Sequence, residues 1–322
     1  MKIHLSNSDN LRLFDVFLRN FDPADESRLD ITTNDKWINA HPAVLTAVAA
    51  LGLTVNSDKI TIDEITAKSG DYLDTMGLFK MLKKESPFKP VKHESAGKYI
   101  PLTQIRTPKE QTHFIHDMIP LLHLEPSKVE ALKYTLGELV RNVLEHAQSP
   151  NGAIVAAQYS PERGVVRIGI CDTGIGIKGS MSYTWPNRTK TDLDAIKWAL
   201  VPGVSGTTMN ESGTAENAGA GLFFVKSISM VTRNYFLIYS GTGVYKLLKR
   251  RPDVRAIRLS TNPDSDRNSQ TDEAPHFPGT LIAIDISVEK VKEFASLLEL
   301  IRRAYSSAIK ERKAERYKPR FI

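Results

Sequence analysis

Leu132–Ser149 reads LKYTLGELVRNVLEHAQS, and the spacing inside it decides how the rest of the chain is read. At 3.6 residues per turn, Glu138, Asn142 and His146 stand four apart and form one polar column along a helix. Leu132, Leu136, Leu139, Val140, Val143 and Leu144 supply the apolar surface beside it. Polar groups withdrawn from water cost free energy unless they are satisfied, so a polar column bordering a buried stripe needs a reason. A solvated face is one reason and a ligand is another; the helix alone leaves both open.

Three later stretches bear on that choice. Val165–Gly176 reads VVRIGICDTGIG: an apolar strand ends at Cys171-Asp172, and Gly174 and Gly176 follow. Glycine there lets the backbone turn sharply and approach a ligand, and the acid suits an amine donor held over the turn. An ordinary strand-to-loop turn has the same composition. Asn217–Val225, NAGAGLFFV, sets Gly219 and Gly221 ahead of an apolar-periodic segment. A glycine-rich loop feeding a helix N-terminus is an anion site, because free N–H groups and the positive dipole end face the ligand. A small-residue helix start is the plain alternative. Pro278-Gly279-Thr280 then opens the strand TLIAIDI.

The four pieces come in a telling order: Glu-x-x-x-Asn-x-x-x-His on a helix, Asp-x-Gly-x-Gly after a strand, Gly-x-Gly before a helix, and Gly-Thr opening a strand. In that order the chain resembles the ATP-binding (Bergerat) fold of the gyrase, Hsp90, histidine-kinase and MutL (GHKL) superfamily, over residues 123–290. The wording ELVRNVLEHA is closest to the histidine-kinase and anti-sigma-factor serine-kinase branch.

The resemblance implies an α/β (α+β) chain whose C-terminal part is an α/β sandwich, a mixed sheet with helices on one face. It implies ATP and Mg²⁺ as cofactors and assigns roles by position. Asn142 ligates the metal. Glu138 orients or deprotonates the water or hydroxyl that attacks the γ-phosphate. Asp172 accepts from the adenine amine, which selects adenine over guanine. Gly174 and Gly176 give the turn room, Gly219 and Gly221 hold the phosphates, and Thr280 approaches the base. His146 supports the phosphates, caps the site or simply packs. The long polar segment Lys178–Ala218 corresponds to the ATP lid. The chain departs from sensor kinases in three ways. It has no transmembrane sensor and no convincing phosphoacceptor hairpin, since His116-Asp117 lacks the Arg-Thr-Pro continuation. Phe223 stands where a glycine is common, which puts the lid geometry in doubt.

Length and composition bound the rest. The 322 residues suit one large or two ordinary domains, and 41% hydrophobic with 25% charged residues is ordinary for a globular protein. No apolar run approaches the roughly 18–20 residues needed to cross a bilayer, and the N-terminus has no secretory apolar core, so a cytoplasmic protein without a membrane partner is expected. Cys171 is the only cysteine, which fits a reducing compartment and reads as a small buried hydrophobe. Residues 302–320 hold eight bases against two acids, so the net charge of +6 sits there and the remainder is balanced. A solvated helix end is the favoured reading of that tail. Nucleic acid is a weaker one, because no aromatic ladder accompanies the charge.

Residues 1–122 alternate strand-like and helix-like segments: strands at Arg28–Thr32 and Lys59–Ile65, helices at Pro42–Leu51, Asp71–Lys83 and Thr107–Leu122, the last capped by Thr107 with Pro108 following. This alternation argues a small α/β domain over 1–122. The pattern WINAHPAVLTAVAAL…DYLDTMGLFKML resembles the STAS-like segments that precede such ATP-binding domains, which implies a regulatory surface. The expected organisation is 1–122 regulatory, 123–300 ATP-binding and 301–322 a basic helix end and tail. The expected activity is a Mg²⁺-dependent ATPase or serine/histidine-type protein kinase acting on a regulatory protein partner. The alternatives are a nucleotide-dependent binding switch with little turnover, or a nucleic-acid-associated protein. A homodimer is left open.

Overall fold

Alternating burial turns the first short apolar runs into strands: Ile3 and Leu5 are buried in β1 (Lys2–Leu5), and Leu29 and Ile31 in β3 (Leu29–Thr33). With β2 (Phe21–Asp22) and β4 (Ile60–Ile62) they make a four-stranded sheet in the order β2-β1-β3-β4. The β1–β3 and β3–β4 pairings are parallel. The computed structural model describes residues 1–89, 99–124, 126–206, 221–249, 259–288 and 294–316.

Helix α1 (Phe14–Arg19) precedes β2, and α2 (Pro42–Gly52) follows β3. Every residue of α2 is buried. A helix that is apolar all round must be covered all round, and α2 is held between α4 (Leu78–Leu82) and a second, larger sheet. His41 caps it, its Nδ1 accepting from the Ala43 N–H, while its Nε2 lies 3.0 Å from Asp285 Oδ1. The expected helix Asp71–Lys83 is two pieces, α3 (Asp71–Thr75) and α4, because Gly77 adopts φ +80° between them.

The larger sheet contains β5 (Tyr99–Ile105), β6 (Ala153–Ser160), β7 (Val165–Asp172), β8 (Phe236–Gly241), β9 (Gly243–Leu247), β10 (Asn268–Thr271) and β11 (Phe277–Ser287), in the order β10-β9-β8-β11-β7-β6-β5. All of its described pairings are antiparallel, so the expectation of a mixed sheet is corrected for strand direction. The reason is topological. Strands β7 and β8 run the same way, but β11 inserts between them antiparallel to both. Strand β5 belongs to this sheet although it lies within residues 1–122.

Strands β6, β7, β8, β9 and β11 are buried on both faces. Alternate residues divide between two cores: Ile154, Leu237 and Leu281 join the core around α2, whereas Val155, Ile238 and Ile282 join the core on the opposite side. That opposite side carries α6 (Pro126–Asn142), α9 (Gly221–Val231) and α10 (Phe294–Arg316). Helices were expected on one face only; the N-terminal unit covers the other with α2. The run read as one helix over 107–122 keeps its Thr107–Glu110 capping box but changes pitch, from α5 (Pro108–His113) to a π turn and then a 3₁₀ turn. The run 254–259, which the sequence also offers as a strand, lies outside the described residues except for Leu259. No helix among the described residues is long and apolar enough to cross a membrane.

The contact between α2 and the sheet is close at Gly169 of β7, where a Cβ would stand 2.3 Å from the Ala43 N and Cα. Gly169→Ala is therefore expected to cost about 1–3 kcal/mol, the range for overpacking a filled core. Urea unfolding reads this as a lowered midpoint, and an unchanged midpoint would show that α2 yields freely.

Candidate functional site

Helix α6 ends at Asn142 and continues as a π turn, Val143–Ala147. Such turns alter which side chains share a face and recur at functional sites. Asn142 and His146 both line a cavity of about 410 Å³. Asp172 at the end of β7, Gly176 at the start of α7 (Gly176–Met181), Gly221 at the start of α9 and Thr280 on β11 line the same cavity. Side chains and turns distant in sequence are thus brought together, and Asn142 and His146 border a concavity and not a flat surface.

The floor is one row across three strands. Asp172 pairs with Thr280, and Thr280 with Ser240 of β8. Ser240 Oγ accepts from the Ile177 N–H at 3.0 Å, donates to the Gly279 carbonyl at 2.8 Å and lies 3.2 Å from Thr280 Oγ1. It ties β8, β11 and α7 together beneath the cavity. Asp172 is 3% exposed. Burial pushes its carboxyl up to about 7, while hydrogen bonds from the Gly174 and Thr280 backbones pull the other way. Its Oδ1 accepts the Gly174 N–H at 2.8 Å.

Gly174 does not line the cavity. A Cβ there would stand 1.9 Å from the Ala147 carbonyl oxygen, so this glycine lets the turn pack against the end of the π turn. The Ile175 N–H donates to that same carbonyl at 2.8 Å. Gly279 has φ +100°, and a Cβ on it would meet the Asp172 carbonyl oxygen at 2.2 Å.

Glu138 also stands outside the cavity lining. Its Oε2 accepts from Arg141 Nη2 at 2.6 Å and would lie 2.7 Å from a Cβ on Gly221. The carboxylate is therefore beside the first residue of α9. Arg141, not singled out in the sequence, does line the cavity. Its signal was position alone: it precedes Asn142 and stands three after Glu138. Ser240 had no signal, since a serine at a strand end is unremarkable. Burial lowers the His146 pKa, so the ring is neutral at pH 7, and Glu145 lies 3.8 Å away. Gly219 lies outside the described residues.

The first part of the expected lid is framework. Its helix α8 (Asp192–Ala199) is fixed to the β8–β9 hairpin, Asp192 Oδ2 accepting from the Thr242 N–H at 3.0 Å. Trp185 packs edge-on against Trp198 and donates to the Ser205 carbonyl at 2.8 Å. Met181, Ala199 and Val204 give the cavity an apolar wall. The rest of that segment, 207–218, lies outside the described residues. Phe223 is fully buried and its ring lies 6.4 Å from that of Tyr305, so it anchors α9 to α10 where glycine could not. Cys171 is buried and its thiol is pushed well up, which makes it inert packing.

Among the described residues no three His, Cys, Asp or Glu side chains are grouped to hold a metal ion. A thiolate or imidazole metal is thereby disfavoured there. One amide oxygen, from Asn142, together with ligand oxygens and water is the kind of set that Mg²⁺ takes. Compared with protein-family models, with curated proteins and with solved structures, the chain matches none.

Proposed function

We propose that the chain binds ATP with Mg²⁺ in this cavity, as a member of the histidine-kinase-like ATPase superfamily, and transfers or hydrolyses the γ-phosphate to regulate a partner protein in the cytoplasm. The observation that carries this reading is the convergence of Asn142, Asp172, Gly221 and Thr280 on one cavity with an apolar wall. Asp172 would accept from the adenine amine, and the wall would hold the ring. Gly221, at the N-terminus of α9, would leave room for phosphate beside free backbone N–H groups. Asn142 would hold Mg²⁺, which when bound neutralises phosphate charge. Glu138, whose carboxylate lies beside the first residue of α9, would take the proton from the attacking water or hydroxyl.

One observation favours a second reading, a nucleotide-operated switch with little turnover: Glu138 is engaged by Arg141 and does not face the cavity. Calorimetric titration separates both from no nucleotide function. ATP and adenosine should bind at least about tenfold more tightly than GTP and guanosine, because a site built around an amine acceptor rejects a carbonyl. Equal or absent binding of all four ends the proposal. Phosphate release that falls sharply in Glu138→Ala supports the enzyme, whereas tight binding with no release in wild type supports the switch.

A further inference from the structure

We propose that Arg141 reads the polyphosphate of the bound nucleotide and that Glu138 is the anion it exchanges for those phosphates. This rests on the nucleotide reading of the cavity. Arg141 carries five N–H donors in a rigid fork suited to planar or phosphate oxygens. Among the described residues its hydrogen bond is from Nη2 to Glu138, at 2.6 Å. Its Nε is buried and has no hydrogen-bond partner among the described residues. Arg141 is among the residues that line the cavity, and its side chain is 42% exposed.

The position of Glu138 explains why the exchange would occur. Its side chain is 16% exposed, and its Oε2 sits against Gly221, the first residue of the eleven-residue α9. Free N–H groups and the positive dipole end make that point attractive to any anion. The anion at that point is the Glu138 carboxylate. A nucleotide phosphate entering the same place meets a cation already held by a competitor. To present Nη2 to that phosphate Arg141 leaves Glu138, and doing so frees the carboxylate.

Affinities of ATP, ADP and adenosine for the full chain, measured by calorimetry, test the exchange. Arg141→Gln should weaken ATP and ADP about tenfold and leave adenosine within about twofold, since adenosine lacks the group being read. Arg141→Lys should restore part of the loss. Glu138→Gln should tighten ATP and ADP about threefold and leave adenosine unchanged, a gain that loss of folding could not produce. In the double variant that gain should vanish, because it acts only through Arg141. Adenosine binding by each variant reports that the fold and base pocket are intact. Wild-type binding of adenosine and ATP with Glu138→Gln no tighter for ATP, or with Arg141→Gln equally weak for both ligands, overturns the exchange alone. Failure of the wild type to bind either ligand overturns the nucleotide reading and this proposal with it.

Discussion

Replacing Asp266 by alanine is expected to cost about 3–5 kcal/mol of folding stability, the range for stranding one member of a buried ion pair. Lys226 on α9 and Asp266 before β10 are both fully buried as side chains, with Nζ and Oδ2 2.5 Å apart. Burial pulls the Lys226 pKa down, and the Asp266 carboxylate pulls it back up. Lys226 also donates to the Ser260 carbonyl at 3.3 Å, and its Nζ lies 5.7 Å from the Phe223 ring. Neither contact carries a full charge to replace the carboxylate. In Asp266→Ala the lysine's folded pKa drops below its unfolded value, so the unfolded chain binds more protons and stability rises with pH. The deficit in urea unfolding should therefore be larger at pH 7 than at pH 10. Lys226→Met combined with Asp266→Leu should lose far less than Asp266→Ala, because apolar residues of similar volume need no counter-charge. A deficit below about 1 kcal/mol at pH 7 would show that water reaches Lys226 once Asp266 is gone.

The candidate site was more legible than the fold that holds it. Asn142, His146, Asp172, Gly176, Gly221 and Thr280 all reach the cavity, because helical spacing and glycine-bearing strand ends are local facts. Spacing puts Glu138 in one column with Asn142 and the resemblance gives it the role of base, but its carboxylate is paired with an arginine three residues on. Periodicity gives a residue's face of the helix and is silent on which neighbour claims its charge. Gly174 reads as room for the turn at a ligand site, and the neighbour it admits is the Ala147 carbonyl; any close backbone approach demands glycine, whether the neighbour is ligand or chain. The insertion of β11 between β7 and β8 joins residues about a hundred apart in the chain, and no local pattern encodes such an order. The burial of α2 was half legible. Pro42–Gly52 is apolar on every side, which demands a cover, but the sequence does not say that the larger sheet supplies it.

Asp172→Asn is expected to weaken adenosine binding about a hundredfold, as much as Asp172→Ala. A carboxylate accepts on both oxygens, and one is already taken by the Gly174 N–H. In asparagine the oxygen stays on that N–H, and an NH₂ group is left to face the ligand's own amine, donor against donor. Losing a charge-assisted bond and leaving a donor unpaired together account for that magnitude. The pH dependence follows from the carboxyl being pushed up to about 7. An amine donor prefers the ionised form, whose population rises from about a tenth at pH 6 to about nine-tenths at pH 8. Wild-type adenosine affinity should therefore rise up to tenfold over that interval, and that of Asp172→Asn should stay flat. His146, also in the lining, is held low by burial and stays neutral through the upper part of the range. Stability runs the other way. Between about pH 4 and pH 7 the native carboxyl keeps a proton that the unfolded chain has lost, so wild-type stability falls as pH rises and levels off above 7. A shift from 3.8 to about 7 is worth on the order of 4 kcal/mol. Asp172→Asn escapes that cost, so its advantage in urea unfolding should widen from pH 5 to pH 8. A buried carboxylate that weakens the fold is what a trade of stability for ligand binding would leave. A flat affinity profile in wild type, or an Asp172→Asn chain less stable at pH 8, would mean that the carboxylate serves the turn and not a ligand.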